Sequence, residues 1–236
     1  MRNVLIVDVE TTGLDPAKDV VIEVAAMLYS LEHTTVLESI SSLARSETGN
    51  AAEAINRIPA AALVQAPPAA VVVEAMVGMA CRGEAHAILA HNADFDRSFL
   101  WSFLGKPGFG FHLVTPWVCT KADIAWPCQQ KQGESLVTLA LAHDLGVATA
   151  HRAMADCDLI ARLLTRSREI GADIDAMIAR GLRPKAEFIA VVPFERKDEA
   201  KAAGFAWDGV KREWRRTMAI EDTSALPFPT RKVNAA

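Results

Sequence analysis

The chain has 236 residues, of which 51% are hydrophobic, and its formal net charge is −4. That apolar content supports a sizeable core and argues against general disorder, and no apolar run is long enough to cross a membrane. The N-terminus lacks a signal-peptide pattern, and the cysteines (Cys81, Cys119, Cys128 and Cys157) have no CxxC spacing. We therefore expect a cytoplasmic protein with reduced thiols, without membrane contact and without a zinc knuckle.

Charge is distributed unevenly along the chain. Residues 1–178 contain 13 Lys+Arg and 21 Asp+Glu, a net charge of −8, whereas residues 179–236 contain 12 and 8, a net charge of +4. An acidic body joined to a basic segment suggests that the segment meets an anionic partner. A solvated basic surface is the alternative.

The first predicted strand leads directly into two carboxylates. The apolar run Val4–Val7 is typical of a strand buried on both faces, and Asp8 and Glu10 follow it. Side chains two residues apart share a face of a strand, so the two carboxylates project together. Their mutual repulsion and desolvation favour a divalent cation between them, and two merely solvated acids are the alternative.

The elements that follow alternate between strands and helices. Strands predicted over residues 20–30 and 35–44 form an antiparallel meander with the first strand, and Glu23 lies inside the second strand, facing solvent or a structural partner. Further strands are predicted over residues 86–90 and 112–118. Helices are predicted over residues 51–62, 69–81, 94–104, 135–145 and 153–170.

Three polar residues stand at the starts of the later helices. Asp96 lies in a first helical turn, where the helix dipole favours a carboxylate, and that is also its ordinary structural explanation. His151 lies in a polar turn, where a solvated loop residue is the alternative, and Asp156 follows in the next helix. A five-residue offset separates two side chains around a continuous helix, so they converge only if His151 lies in the entering turn.

The segments VDVETTGLDP, AHNADFDRSFL and HRAMADCDLIARLL resemble, in order and spread, the three motifs of DnaQ-like 3′–5′ exonucleases of the DEDDh type. The resemblance implies an α/β fold over residues 1–178, with a ribonuclease H-like mixed five-stranded sheet flanked by helices. It also implies two divalent cations, Mg²⁺ or Mn²⁺, which neutralise charge during phosphodiester hydrolysis. The implied metal ligands are Asp8, Glu10, Asp96 and Asp156, and His151 is the implied general base.

The same resemblance implies which residues bind the 3′-terminal nucleotide of the substrate. The backbone around Thr11 and Thr12 and the side chain of Leu14 would pack on the last sugar and base, with Asn92 near the substrate backbone. Leu14 as a core residue is the alternative. We expect release of nucleoside 5′-monophosphates, with DNA narrowly favoured over RNA. An RNA-trimming enzyme and a non-catalytic nucleic-acid-binding or replisome-binding protein are the alternative functions.

The basic segment predicts a second folding unit. We expect a linker over residues 179–186, a strand–helix–strand module over 187–218 and a flexible tail over 219–236. The run VPFERKDEAKAAGFAWDGVKREW resembles a small module appended to bacterial and phage DNA-processing proteins. Trp207, Trp214 and Arg212 are candidate substrate-binding residues, because aromatic faces stack bases and basic groups follow phosphates. Tryptophans that form the core of a small domain are the alternative.

The tail contains a short apolar motif. The stretch Thr223–Phe228 resembles the peptides by which replication proteins dock onto sliding clamps. This resemblance makes a replication or repair protein a candidate partner.

Overall fold

The computed structural model describes residues 2–104, 115–148 and 151–233. The chain divides into two compact units, Met1–Ile178 and Ala179–Ala236. We call them the N-terminal unit and the C-terminal unit. Within the described ranges, no helix is long and apolar enough to cross a membrane.

The N-terminal unit contains a mixed sheet, for which five strands are found among the described residues. The strands are β1 Asn3–Thr11, β2 Val21–Ser30, β3 Thr35–Leu43, β4 Ala85–Ala90 and β5 Trp117–Cys119. Their order in the sheet is β3-β2-β1-β4-β5. The first three strands are antiparallel neighbours, as the meander prediction expected, β4 is parallel to β1, and β5 is parallel to β4. The predicted mixed five-stranded sheet is therefore confirmed.

The helices of this unit follow the predicted order, with one interruption. The predicted helix over residues 51–62 is two short helices, because Arg57 adopts a left-handed conformation (φ +58°) and Pro59 is the extended N-cap of the next helix. The predicted strand over residues 112–118 has its first three residues outside the described ranges, and β5 begins at Trp117. The helices are α1 Glu53–Asn56, α2 Ala60–Val64, α3 Ala69–Arg82, α4 Ala93–Leu104, α5 Leu136–Ala142, α6 Ala153–Glu169 and α7 Ile174–Gly181.

The two faces of β1 meet different helices. Leu5, Val7 and Val9 belong to a core cluster with residues of α3 and α4. The alternate residues face the other side, where α6 packs and where the Cys157 thiol lies 3.9 Å from the Ile6 carbonyl oxygen. Because strand side chains alternate, Asp8 and Glu10 share the face that is covered by α6.

The C-terminal unit has, within the described residues, four strands and a short α-helix. The elements are β6 Lys185–Ala190, α8 Lys197–Ala202, β7 Ala206–Asp208, β8 Glu213–Ala219 and β9 Thr230–Lys232, with 3₁₀ helices at Phe194–Arg196 and Ile220–Ala225. The strands form an antiparallel sheet in the order β7-β8-β6-β9. The core of the unit contains Phe188, Ala200, Phe205, Met218 and Phe228.

Two predictions for this region are corrected by the structure. The predicted linker over residues 179–186 is partly regular, because α7 continues to Gly181 and β6 begins at Lys185. The predicted flexible tail contains regular structure in its described part, residues 219–233, because Thr230–Lys232 pairs with β6 and Phe228 is buried against Phe205 at a ring-centroid distance of 5.6 Å. A buried Phe228 is also not available as part of an exposed docking peptide.

Candidate active site

Three carboxylates converge on the α6 face of β1. One carboxylate oxygen from each of Asp8, Glu10 and Asp156 lies within 4.8 Å of the other two, and all three residues are half-buried. The period of the strand brings the first two together, and α6 supplies the third. Oxygen ligands at this spacing suit a hard divalent cation such as Mg²⁺.

Asp96 approaches the same region from the first turn of α4. Its side chain is buried, and its Oδ1 accepts a hydrogen bond from the Val9 N–H at 3.1 Å. Val9 lies between Asp8 and Glu10, so this bond fixes the end of α4 against the acidic end of β1. Asp96 is not one of the three mutually close carboxylates, but its charge is among the causes that raise the pKa of Asp8.

Burial and mutual repulsion make these acids difficult to ionise together. Burial first, and then the charges of Asp96, Asp156 and Glu10, raise the pKa of Asp8 well above its ordinary value. Burial is also the main reason that the pKa of Glu10 and the pKa of Asp96 each rise to about 7. The cluster therefore favours bound protons or bound cations at neutral pH.

His151 lies in the turn that precedes α6. This is the position that its side chain needs if it is to approach the Asp156 carboxylate. His151 is exposed and has a left-handed backbone (φ +60°), which is uncommon for a residue with a side chain. Burial raises the pKa of Asp156, whereas the charge of His151 and a hydrogen bond from its backbone lower it. The histidine and the carboxylate are therefore electrostatic neighbours.

Glu23 has a structural partner, which was one of the two alternatives from the sequence, and this partner is Arg152, which the sequence did not identify. The Glu23 carboxylate is buried in β2 and accepts hydrogen bonds from Arg152 Nε at 3.0 Å and from Nη2 at 2.8 Å. It also accepts the Ala153 N–H at 3.1 Å, which caps the N-terminus of α6. We call this contact the Glu23–Arg152 clamp, and it fixes the residue that follows His151. A charged residue inside an apolar strand is the signal that could have indicated a partner.

The candidate residues for the terminal nucleotide lie around the end of β1 and before α4. Leu14 is 84% exposed, which excludes the alternative that it is a core residue. Thr12 Oγ1 donates to Asp19 Oδ1 at 3.1 Å and accepts the Val20 N–H at 3.0 Å, so it closes the loop that presents Leu14. Thr11 is buried, and its hydroxyl donates to a loop carbonyl. Asn92 is exposed and has a positive φ of 95°.

The candidates in the C-terminal unit lie on and beside its sheet. Trp207 and Trp214 face each other across β7 and β8, with ring centroids 5.4 Å apart. Trp214 packs against the core cluster of this unit, as the structural alternative expected for one tryptophan, whereas Trp207 is half exposed. Arg212 is exposed in the turn between the two strands.

Comparisons with known proteins give a family for each unit. Residues 5–164 match the family described as Exonuclease, and residues 186–233 match a Domain of unknown function (DUF8626). No curated protein matches the chain.

The solved structures that resemble the chain include several nucleases. Exonuclease X in complex with 5′ overhanging duplex DNA is 25% identical, with a TM-score of 0.56, over 75% of this chain and 99% of that chain. The nuclease domain of 3′hExo, a DEDDh family member bound to rAMP, is 14% identical, with a TM-score of 0.56, over 72% and 92%. E. coli Exonuclease I in complex with a dT13 oligonucleotide is 17% identical, with a TM-score of 0.56, over 81% and 49%. The last two similarities concern the fold alone.

The family match includes β1, α4 and most of α6, which are the elements that carry Asp8, Glu10, Asp96 and Asp156. It extends over more than half of the chain, and it confirms the resemblance first noted in the three sequence motifs. The chain belongs to the exonuclease family, as a metal-dependent nuclease of the DEDDh type.

Proposed function

We propose that the protein is a two-metal-ion 3′–5′ exonuclease that removes nucleotides from the 3′ end of a nucleic acid. The observation that carries the proposal is the convergence of Asp8, Glu10 and Asp156 within 4.8 Å, with Asp96 buried beside them. DNA is favoured over RNA, because the 25% identical relative is described in complex with DNA. RNA trimming is the second candidate, and the DEDDh relative bound to rAMP favours it.

The four acids suit Mg²⁺ or Mn²⁺ because they are oxygen ligands, and burial first and then the charges of neighbouring acids raise their pKa values. Asp8, Glu10 and Asp156 would hold one cation, and Asp8 with Asp96 would hold the second. When bound, the two cations supply charge neutralisation at the phosphodiester and favour ionisation of the attacking water.

The residues of the chain then accept the proton of the attacking water and position the substrate. His151 accepts a proton from the water that attacks phosphorus, because imidazole is a base at neutral pH and the entering turn of α6 holds it beside Asp156. The bond from phosphorus to the 3′ oxygen of the preceding nucleotide breaks, and that oxygen takes up a proton from solvent water. The products are a nucleoside 5′-monophosphate and a strand that ends in a new 3′-hydroxyl.

Substrate positioning is assigned to two places in the chain. Leu14 and the backbone at Thr11 and Thr12 would contact the last base and sugar, and Asn92 the substrate backbone. In the C-terminal unit, Trp207, Trp214 and Arg212 would help to capture the nucleic acid, consistent with the net charge of +4 over residues 179–236. The four cysteines are free thiols, which fits our proposed cytoplasmic location.

The test is nucleotide release from 5′-labelled single-stranded DNA and from RNA of the same sequence, each with Mg²⁺, with Mn²⁺ and with EDTA. We expect stepwise shortening from the 3′ end that EDTA abolishes and that Asp8→Ala abolishes. His151→Ala should lower kcat by about 10² to 10⁴ fold with little change in binding, whereas the exposed His33 gives a matched control, His33→Ala, that should retain activity.

Each result separates the candidate functions. The ratio of the DNA and RNA rates decides the substrate. A protein that binds both strands, releases nothing with either metal and gains no thermal stability from Mn²⁺ would be the non-catalytic binding protein instead.

A further inference from the structure

The C-terminal unit presents large aromatic rings that its core does not bury. Phe194 is 74% exposed and Trp207 is 51% exposed, whereas Phe188, Phe205 and Phe228 are buried. A domain this small gains much of its stability from burying aromatic rings. Rings that stay exposed therefore indicate a surface that contacts a ligand.

Two lysines of α8 lie against these aromatic residues. Lys197 Nζ is 4.1 Å from the Phe194 ring centroid, and Lys201 Nζ is 5.8 Å from that of Trp214, which in turn contacts Trp207. The lysines are four residues apart on one helix, so their side chains are neighbours, about 6 Å apart at Cβ. Phe194, Lys197, Lys201, Trp214 and Trp207 therefore form one continuous surface, which we call the aromatic–lysine strip.

We propose that the aromatic–lysine strip is a binding site for single-stranded nucleic acid. Unpaired bases stack on exposed aromatic faces, and ammonium groups beside the rings neutralise the adjoining phosphates. A duplex keeps its base faces stacked inside and cannot use the rings. The inference rests on the proposed nucleic-acid function. It adds to that function a defined binding surface, three further residues (Phe194, Lys197 and Lys201) and a preference for single-stranded over double-stranded nucleic acid.

Several arginines of the C-terminal unit already pair with acids in the same unit, so their positive charge is partly compensated, whereas no acid is paired with Lys197 among the described contacts. These pairs are Arg215–Glu187, Arg231–Glu213 and Arg183–Asp222. Lys201 also has an acidic neighbour, Asp198, at 3.3 Å, but both side chains are more than half exposed. Such an exposed pair is weak, so a phosphate can replace the carboxylate.

Binding to the full-length protein tests the proposal. Fluorescein-labelled oligo-dT and oligo-rU of about 20 nucleotides are titrated in EDTA, which prevents cleavage, and anisotropy is followed over a salt series. Phe194→Ala should weaken binding by about 5- to 100-fold. Lys197→Ala and Lys201→Ala should each reduce the slope of log K against log salt by about 0.7. Asp198→Asn, which removes a negative charge from the strip, should tighten binding by about 2- to 5-fold.

Matched controls exist in the same unit. Val210 is 94% exposed and Lys232 is an exposed lysine on β9, so Val210→Ala and Lys232→Ala should bind as the wild type does. The proposal is overturned if Phe194→Ala and the two lysine variants also bind as the wild type, if Lys232→Ala reduces the slope equally, or if a duplex of the same length binds as tightly.

A separate measurement distinguishes failure of the proposed binding site from failure of the proposed exonuclease activity. Mn²⁺-dependent nucleotide release by the wild-type protein, with Asp8→Ala as its negative control, does not depend on the strip variants. Release without strip-dependent binding overturns only the present inference. Strip-dependent binding without release overturns the exonuclease proposal and leaves the binding site.

Discussion

Replacing Asp96 by Asn should stabilise the metal-free protein while it abolishes most of the activity. Asp96 is 2% exposed and its pKa is raised to about 7 from an ordinary value of 3.8. The amide oxygen of Asn can still accept the Val9 N–H that Asp96 Oδ1 accepts at 3.1 Å. The substitution therefore keeps the backbone contact and removes only the charge.

The magnitude follows from the pKa of the Asp96 carboxyl. Between pH 4 and pH 7 the folded state holds a proton on this group that the unfolded chain has released, so the free energy of unfolding falls as pH rises. Each pKa unit corresponds to about 1.4 kcal/mol, so ionised Asp96 destabilises the metal-free protein at pH 8 by ~4 kcal/mol at most. We expect Asp96→Asn to recover about 3 kcal/mol at pH 8 and almost nothing at pH 4.

Urea unfolding in EDTA at both pH values provides the measurement, with nucleotide release in Mn²⁺ measured in parallel. Asp94 lies two residues earlier in α4 and is exposed, so Asp94→Asn is the matched control and should change neither quantity. Activity of Asp96→Asn should fall by at least about 100-fold, because the substitution removes a proposed metal ligand. A variant that is destabilised equally at both pH values would refute the electrostatic reasoning.

Three further outcomes follow from the site. Glu23→Ala, which leaves the clamp arginine and a helix N–H without their acceptor, should lower kcat by about 10- to 100-fold. In a double-mutant cycle this loss should disappear when His151 is already alanine, and fully additive losses would mean that the clamp does not act through the histidine. Leu14→Ala should raise KM with an unchanged unfolding midpoint, since the side chain is 84% exposed, and an unchanged KM would remove it from the substrate site. The Mn²⁺ concentration for half-maximal activity should rise as pH falls from about 8 to 6, because protons compete for Glu10 and Asp96, whose pKa values are about 7; a requirement independent of pH would contradict this.

The sequence predicted the parts of the site that depend on local periodicity. The alternation of a strand was enough to place Asp8 and Glu10 on one face, and the helix start before Asp156 was enough to place His151 in an entering turn. That Asp156 joins Asp8 and Glu10 in one metal site was implied only by the family resemblance, because periodicity alone does not say which helix packs on which side of a sheet.

Other features depend on contacts between distant parts of the chain, and the sequence did not indicate them. The partner of Glu23, Arg152, is 129 residues away, and the pairing requires both the β2 register and the position of the residue that precedes α6. Likewise, the prolines around Phe228 suggested a loose tail, although the residues after them pair with β6 and Phe228 itself is buried in the core of the C-terminal unit. Proline breaks regular structure locally, but it does not prevent a following edge strand.

The carboxylates of the N-terminal unit differ in how their charge is compensated. Glu23 has a permanent cation of the chain itself, because Arg152 binds it through two nitrogen atoms. The same guanidinium lowers the pKa of neighbouring Glu10, yet burial and the other acids outweigh it and the pKa still rises to about 7. Asp8 and Asp96 have no such arginine among the causes of their pKa shifts, and burial and neighbouring acids raise their pKa values as well. An arginine suits the carboxylate that must keep one structural contact. At the proposed metal ligands a permanent cation of the chain would compete with the bound metal, and the raised pKa values of these acids are the cost of leaving that position to the metal.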